Sequence, residues 1–244
     1  EPHLLRGIVR VGVLGVVGGD QPGDVDEVVG LGRGTGTGIA HDSQGSPPRW
    51  LNECVDAHGW DERYKDSELV WSGDPNVFVA EHLTGRTPGT ALDLGAGEGR
   101  NAVWLALQGW DVTAVDFSAV GLEKARRMAF DAQVELATVV SDIETYEPVT
   151  GVDLVLLSYL QIPDDHQRRL LRRVRGWLNP GGLVLVVAHD KTNTVGGPPD
   201  PAVCYSVEQT LEGLEGLRIE VAEVAQRETP AGIALDTVVL AVRD

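Results

Sequence analysis

Residues 91–101 read Ala-Leu-Asp-Leu-Gly-Ala-Gly-Glu-Gly-Arg-Asn. This stretch most constrains what the chain can become. A short apolar strand carries an acid at Asp93, passes into a glycine-rich turn and opens an amphipathic helix. A second strand, 111–116, ends in Asp116. Glycine is required where backbone must take positive φ or lie close to a ligand. A carboxylate about 20 residues beyond the turn suits a pair of ribose hydroxyls. Strand, turn, helix, strand and terminal acid describe a nucleoside pocket at the carboxyl edge of a parallel sheet.

The loop also narrows the kind of nucleoside. A dinucleotide site reads G-x-G-x-x-G and aims a helix N-terminus at a pyrophosphate. Here the pattern is D-x-G-x-G-x-G, with Asp93 ahead of the first glycine and Glu98 inside the loop. Two carboxylates repel a pyrophosphate. They accept a cation, such as the sulfonium and α-ammonium of S-adenosylmethionine. The alternatives are a nicotinamide-dependent oxidoreductase and a non-catalytic protein that binds S-adenosylmethionine.

Asp93-Leu94-Gly95-Ala96-Gly97-Glu98-Gly99-Arg100-Asn101-Ala102, then Trp104-Leu105-Ala106 and Gly109-Trp110-Asp111-Val112, resembles the class I S-adenosylmethionine-dependent methyltransferases. Within them it is similar to the tellurite-resistance and thiopurine methyltransferase-like branch. The resemblance runs from about Trp60 to the C-terminus. It implies that Asp93 helps hold the methionine end and that Gly95, Ala96, Gly97 and Gly99 admit backbone to the cofactor. By the same resemblance Asp116 takes the ribose hydroxyls, Phe117 covers the adenine, Asp142 accepts from the adenine amino group and Ile143 lines the ring. Ser158 stands where a backbone carbonyl receives the methionine ammonium, and Asn101 touches the methionine carboxylate or caps the helix. Trp60-Asp61-x-x-Tyr64 and Trp71 correspond to an aromatic lid, with Trp71 beside the sulfonium.

The rest of the chain alternates strand and helix. Strands are expected at 90–94, 111–116, 134–141, 152–157 and 183–188, with a closing pair at 217–226 and 232–242. Helices are expected at 99–109, 118–130 and 164–178, and from about Ser206. Residues 51–84 read as mostly helical, with a break at 72–75 where Asp74 caps a helix led by Pro75. The expected fold is α/β: a Rossmann-like, seven-stranded, mostly parallel sheet with helices on both faces and an antiparallel C-terminal hairpin. Residues 49–244 are expected to form the methyltransferase domain. Residues 1–48 hold 12 of the 30 glycines and no helical period, and are expected to be a flexible extension.

Methyl transfer from a sulfonium needs alignment and exclusion of water more than covalent chemistry. The acceptor side therefore leaves a fainter trace. Tyr159, Gln161, His189, Asp190, Asn193 and Tyr205 lie at or beyond the ends of strands four and five, the crevice that ligands of open α/β sheets occupy. His189 and Tyr159 are the candidate catalytic groups, because an imidazole exchanges protons near neutrality. The bland role for His189 is to brace Asp190. The run Ser158-Tyr159-Leu160-Gln161 is not the Asn/Asp-Pro-Pro-Tyr sequence of enzymes that methylate amino groups on DNA or glutamine.

Net charge is −17. Affinity for nucleic acid or an anionic membrane comes largely from Lys and Arg, so neither is the expected partner. A small-molecule methyl acceptor, a thiol or other soft nucleophile by resemblance, fits better. The two cysteines, Cys54 and Cys204, form no metal-ligand cluster, so no metal is expected. Their scarcity fits a reducing cytoplasm. Oligomeric state leaves no mark in the sequence.

Overall fold

The computed structural model describes residues 57–65, 69, 73–198 and 200–244. The expected extension over residues 1–48, along with Cys54 and Trp71, lies outside the described residues. Helix α1 is Ala57–Lys65 and α2 is Val77–Leu83. Strand β1 (Thr90–Leu94) leads to α3 (Arg100–Leu107), β2 (Asp111–Asp116), α4 (Ala119–Asp131) and β3 (Ala137–Val140). Then come β4 (Val152–Ser158), α5 (Asp164–Trp177), β5 (Leu178–His189), a 3₁₀ turn at Pro201–Val203, α6 (Val207–Gly213), β6 (Arg218–Thr229) and β7 (Gly232–Val242).

The seven strands lie in the order β3-β2-β1-β4-β5-β7-β6. The first five run parallel, and β7 is antiparallel to both β5 and β6. The order reverses between β1 and β4, which opens a crevice at their carboxyl ends.

Period-two alternation divides each central strand between two cores. Leu92, Leu94, Val155, Leu157, Val184 and Val186 pack on one face with Leu170, Leu171, Val174 and Trp177 of α5. Ala91, Leu154, Leu156, Leu185 and Val187 pack on the other with Phe78, Val79 and Leu83 of α2, Ala102 and Leu105 of α3 and Leu122 of α4. Near-continuous apolar strands such as β4 are what two covered faces require. The same parity decides which functional side chains can meet. Asp93, Asp116, His189 and Asp236 all fall on the α2–α3–α4 face, in step with Ala91, Ala114, Val187 and Val238.

Three departures from the expected boundaries have a visible cause. Helix α2 is capped by Asn76, not Asp74: its side-chain oxygen accepts from the amides of Phe78 at 2.9 Å and Val79 at 3.3 Å, which leaves Pro75 ahead of the cap. Strand β3 starts at Ala137 rather than 134, because Gln133 takes φ of 56° and the Val134 amide still serves the end of α4, donating to Ala129 O at 3.0 Å. The Asn179-Pro180-Gly181-Gly182 run does stop α5, yet it stays within β5. Leu178 pairs with Val152, the register then shifts, and Gly181 and Gly182 exchange backbone hydrogen bonds with Arg243.

Candidate active site

The glycine loop is pinned to the neighbouring strand. The amides of Gly95 and Ala96 both donate to Val115 O, at 2.8 and 3.1 Å. Asp116 holds the turn from the side: Oδ2 accepts from the Gly97 amide and Oδ1 from the Ser118 amide, each at 2.8 Å. Gly99 starts α3 with φ of 83°, and a Cβ there would lie 2.5 Å from Cβ of Ala125 on α4. Only glycine fits that backbone and that approach.

Asp93 is 1% exposed, and neither carboxylate oxygen has a hydrogen-bond partner. Burial, reinforced by Asp116 and opposed by Arg100 and more weakly by the nearby Ala102 amide, pushes its carboxyl up to about 7. A buried, unsatisfied carboxylate is costly. A cation at this point would remove that cost. Glu98 differs from the sequence expectation. Rather than offering a second open charge, it is buried and paired with Lys124 Nζ on α4 at 2.9 Å. Asp93 is thus the loop acid whose charge remains to be met.

Helix α1 lies across this loop. Tyr64 is buried, and a Cβ on Gly97 would sit 2.5 Å from its hydroxyl. Asp61 Oδ1 accepts from Ser118 Oγ at 2.5 Å, while Ser118 Oγ caps α4 by accepting from Gly121 N at 2.9 Å. The Trp60 and Tyr64 rings stand 5.5 Å apart. The segment expected as a lid therefore does meet the loop.

At the tip of β3 the Ser141 amide donates to Asp116 O at 3.0 Å, which brings Asp142 beside β2. Asp142 Oδ1 accepts from Glu144 N at 2.8 Å in a tight turn, and Ile143 is buried against the β1–β2–β4 core. Phe117 is half-buried at the mouth. Ser158 Oγ, at the end of β4, is buried without a hydrogen-bond partner.

A second cluster sits on the same face, across β4, β5, β7 and β6. Antiparallel register sets His189 directly opposite Asp236. Asp236 is fully buried. Its Oδ2 accepts from Arg227 Nε at 2.7 Å and from Tyr159 Oη at 2.9 Å, while Oδ1 faces His189 Nδ1 at 3.4 Å. The last contact is close, but its alignment falls short of a hydrogen bond. Burial alone would raise Asp236, but His189, Arg227 and Tyr159 together hold its carboxyl below the usual range. Burial, then the charge of Asp236, push the Tyr159 phenol well up, so it keeps its proton and donates. Tyr159 takes φ of 56°, unusual for a bulky side chain, and its tilted ring packs against His189 at 4.6 Å.

Asn76 joins the two clusters. Its backbone amide donates to Asn101 Oδ1 at 2.9 Å, and its side-chain amide donates to Tyr159 Oη at 3.2 Å. Asn101 thus caps nothing in its own helix; its carbonyl oxygen secures the start of α2.

Residues 91–182 match the family described as a methyltransferase domain. The match takes in less than half of the chain and supports the expected likeness to the class I S-adenosylmethionine-dependent methyltransferases. The chain is 32% identical over 108 residues to the ribosomal RNA small subunit methyltransferase C of Alcanivorax borkumensis, covering 42% of this chain and 33% of that one. It is 26% identical over 114 residues to the probable S-adenosyl-L-methionine-dependent methyltransferase TehB of Haemophilus influenzae, covering 46% and 40%. The matched part thus spans less than half the length of these curated relatives. Among solved structures, TehB of Haemophilus influenzae shares the fold with a TM-score of 0.62 at 19% identity, covering 75% of this chain and 66% of that one. A structure described under conversion of a disulfide bond into a thioacetal during echinomycin biosynthesis does so with a TM-score of 0.64 at 21% identity, covering 77% and 91%.

The acceptor-side expectations separate cleanly. Tyr159 and His189 come together. His189 does not brace Asp190, because successive strand residues point to opposite faces. Asp190 instead binds Thr192 and Thr237 on the other side of the sheet. Tyr205 is buried in that opposite core, and Asn193 is spent on loop backbone. Asp236, Arg227 and Asn76 were not foreseen. Asp236 had a readable signal: it is the lone acid within an otherwise apolar strand, and a buried acid needs partners. Asn76 and Arg227 had none.

Proposed function

We propose that the chain binds S-adenosylmethionine across the carboxyl ends of β1, β2 and β3 and passes its methyl group to a small-molecule acceptor by in-line displacement. The observation that carries this reading is Asp93, a buried carboxylate with both oxygens unpartnered beside a glycine loop of positive φ. An ammonium or sulfonium answers that charge; a pyrophosphate does not.

In this reading Gly95, Ala96, Gly97 and Gly99 carry the cofactor backbone contacts, and Asp116 retains lone pairs for the ribose beyond the two it gives to amides. Phe117, Asp142 and Ile143 border the adenine, and Ser158 and Asn101 the methionine end. Tyr159 and His189 face the acceptor. A small soft nucleophile is favoured over nucleic acid by the net charge of −17, although one relative is named for ribosomal RNA. Scarce cysteine supports a reducing, cytoplasmic setting.

Calorimetry with S-adenosylmethionine and S-adenosylhomocysteine is the test. Binding by the wild type, lost in Asp116→Ala and Gly97→Val, is the expected result. Binding of NADH in preference to both would overturn the reading.

A further inference from the structure

The imidazole of His189 has one ring nitrogen turned inward. Nδ1 is buried and faces the Oδ1 of Asp236 at 3.4 Å. Nε2 is not among the buried polar atoms that lack a partner. The ring is otherwise boxed in. The tilted ring of Tyr159 packs against it, and Gly197 lies so close on the loop after β5 that a Cβ there would come within 2.9 Å of the ring. The charged and titratable groups facing this ring are Asp236 from β7, Arg227 from β6 through that carboxylate, and Tyr159 from the end of β4.

The two oxygens of Asp236 are divided between tasks. Oδ2 takes Arg227 Nε and Tyr159 Oη, and Oδ1 faces the histidine while also receiving a long hydrogen bond from Arg227 Nη2 at 3.5 Å. A carboxylate facing Nδ1 favours the tautomer with the proton on Nδ1, since the opposite tautomer would set a lone pair against a negative charge. The Nε2 lone pair is then free to take a proton, and the side chain lies on the face of the sheet that carries Asp93. A fully buried Asp paired across two strands has no packing reason to replace an apolar residue there.

Resting on the methyltransferase reading above, we propose that Asp236 positions His189 as a general base and that the acceptor arrives as a protonated thiol. The balance is simple. His189 Nε2 takes the proton from S–H, the sulfur lone pair attacks the methyl carbon, and the new C–S bond forms as the sulfonium C–S bond breaks. The broken bond's electron pair stays on the cofactor sulfur, leaving neutral S-adenosylhomocysteine, and the proton passes from the imidazolium to solvent. A thiol suits this base because thiols and imidazoles have neighbouring proton affinities, whereas an alkyl hydroxyl holds its proton far more tightly. Asp236 is a positioning residue; His189 is the catalytic one.

Long-range ¹H–¹⁵N spectra of the full chain with S-adenosylhomocysteine read the tautomer directly. The wild type is expected to show His189 protonated at Nδ1, and Asp236→Asn to shift the population toward Nε2–H. A wild-type ring protonated at Nε2 overturns the proposal. A kinetic measurement covers the case in which Asp236→Asn fails to fold. Methyl transfer to benzyl mercaptan, protonated at neutral pH, is compared with transfer to 4-nitrothiophenol, which is ionised there. His189→Gln is expected to lower kcat on benzyl mercaptan by about 10²–10⁴-fold, and to cost at least about tenfold less on 4-nitrothiophenol. Equal losses overturn the base. Absence of turnover on both thiols, with S-adenosylhomocysteine bound, overturns the acceptor class. Absence of S-adenosylhomocysteine binding instead defeats the methyltransferase reading itself.

Discussion

Asp116 reaches back from the end of β2 and accepts the Gly97 amide at 2.8 Å, so the acid expected to hold a sugar also holds the loop that approaches it. The two roles are coupled through one carboxylate. Replacing Asp116 by Asn puts an amide donor where one of two backbone N–H groups now finds an acceptor. One buried amide loses its partner, at about 1–3 kcal/mol. Thermal denaturation should show the loss, and calorimetry with S-adenosylhomocysteine should show at least about a tenfold weaker affinity. An unchanged affinity would separate Asp116 from the ligand.

Asp93 gives a pH dependence with a definite sign. Its carboxyl ionises near 3.8 when exposed and near 7 in the fold. Between those values the folded chain holds more protons than the unfolded one, so stability falls as pH rises from about 4 to 7. Asp93→Asn should remove that slope, leaving the ligand-free variant more heat-stable than the wild type at pH 8, with the gap closing toward pH 4. The upper limit is on the order of 4 kcal/mol.

The same group links proton and ligand. A cation bound at Asp93 requires the ionised carboxylate, so S-adenosylhomocysteine affinity should rise with pH up to about 7 and then level. Calorimetry near pH 6 in buffers of different ionisation heat should register release of up to one proton. No release would place the ammonium elsewhere.

Buried Glu98 and half-buried Lys124 form a pair between the loop and α4. Removing the lysine leaves a buried carboxylate without this cation, at up to about 3–5 kcal/mol. Lys124→Met alone should therefore be strongly destabilising, and adding Glu98→Gln should restore much of the loss in a double-mutant cycle. Additive losses would deny the coupling.

Asn76→Ala should cost about 0.5–2 kcal/mol through the lost cap of α2. Hydrogen exchange at the amides of Phe78 and Val79 should accelerate. Tyr159, deprived of one of its two hydroxyl partners, should become more mobile in the same experiment's neighbouring amides.

Much of the fold was legible because its determinants are local. An apolar strand, a glycine turn and a capped helix each declare themselves within a few residues. β1 and β2 emerge at the expected 90–94 and 111–116, and Ser118 caps α4 as its residue type predicts. Where backbone hydrogen bonds compete, local reading slips. Val134 is held by α4 instead of joining β3, and Asn76 outbids Asp74 for the cap.

The chain's local chemistry determined by itself the cofactor loop, its acids and the strand–helix order, since glycine spacing and alternation are properties of adjacent residues. Tertiary structure alone decided the acceptor side. His189 meets Asp236 only because antiparallel register sets them opposite each other across β5 and β7, and a one-residue slip would turn either side chain to the other face. It also decided which loop acid stays unmatched: Glu98 and Asp93 look alike in the sequence, but folding brings Lys124 to the first and leaves the oxygens of the second without a hydrogen-bond partner.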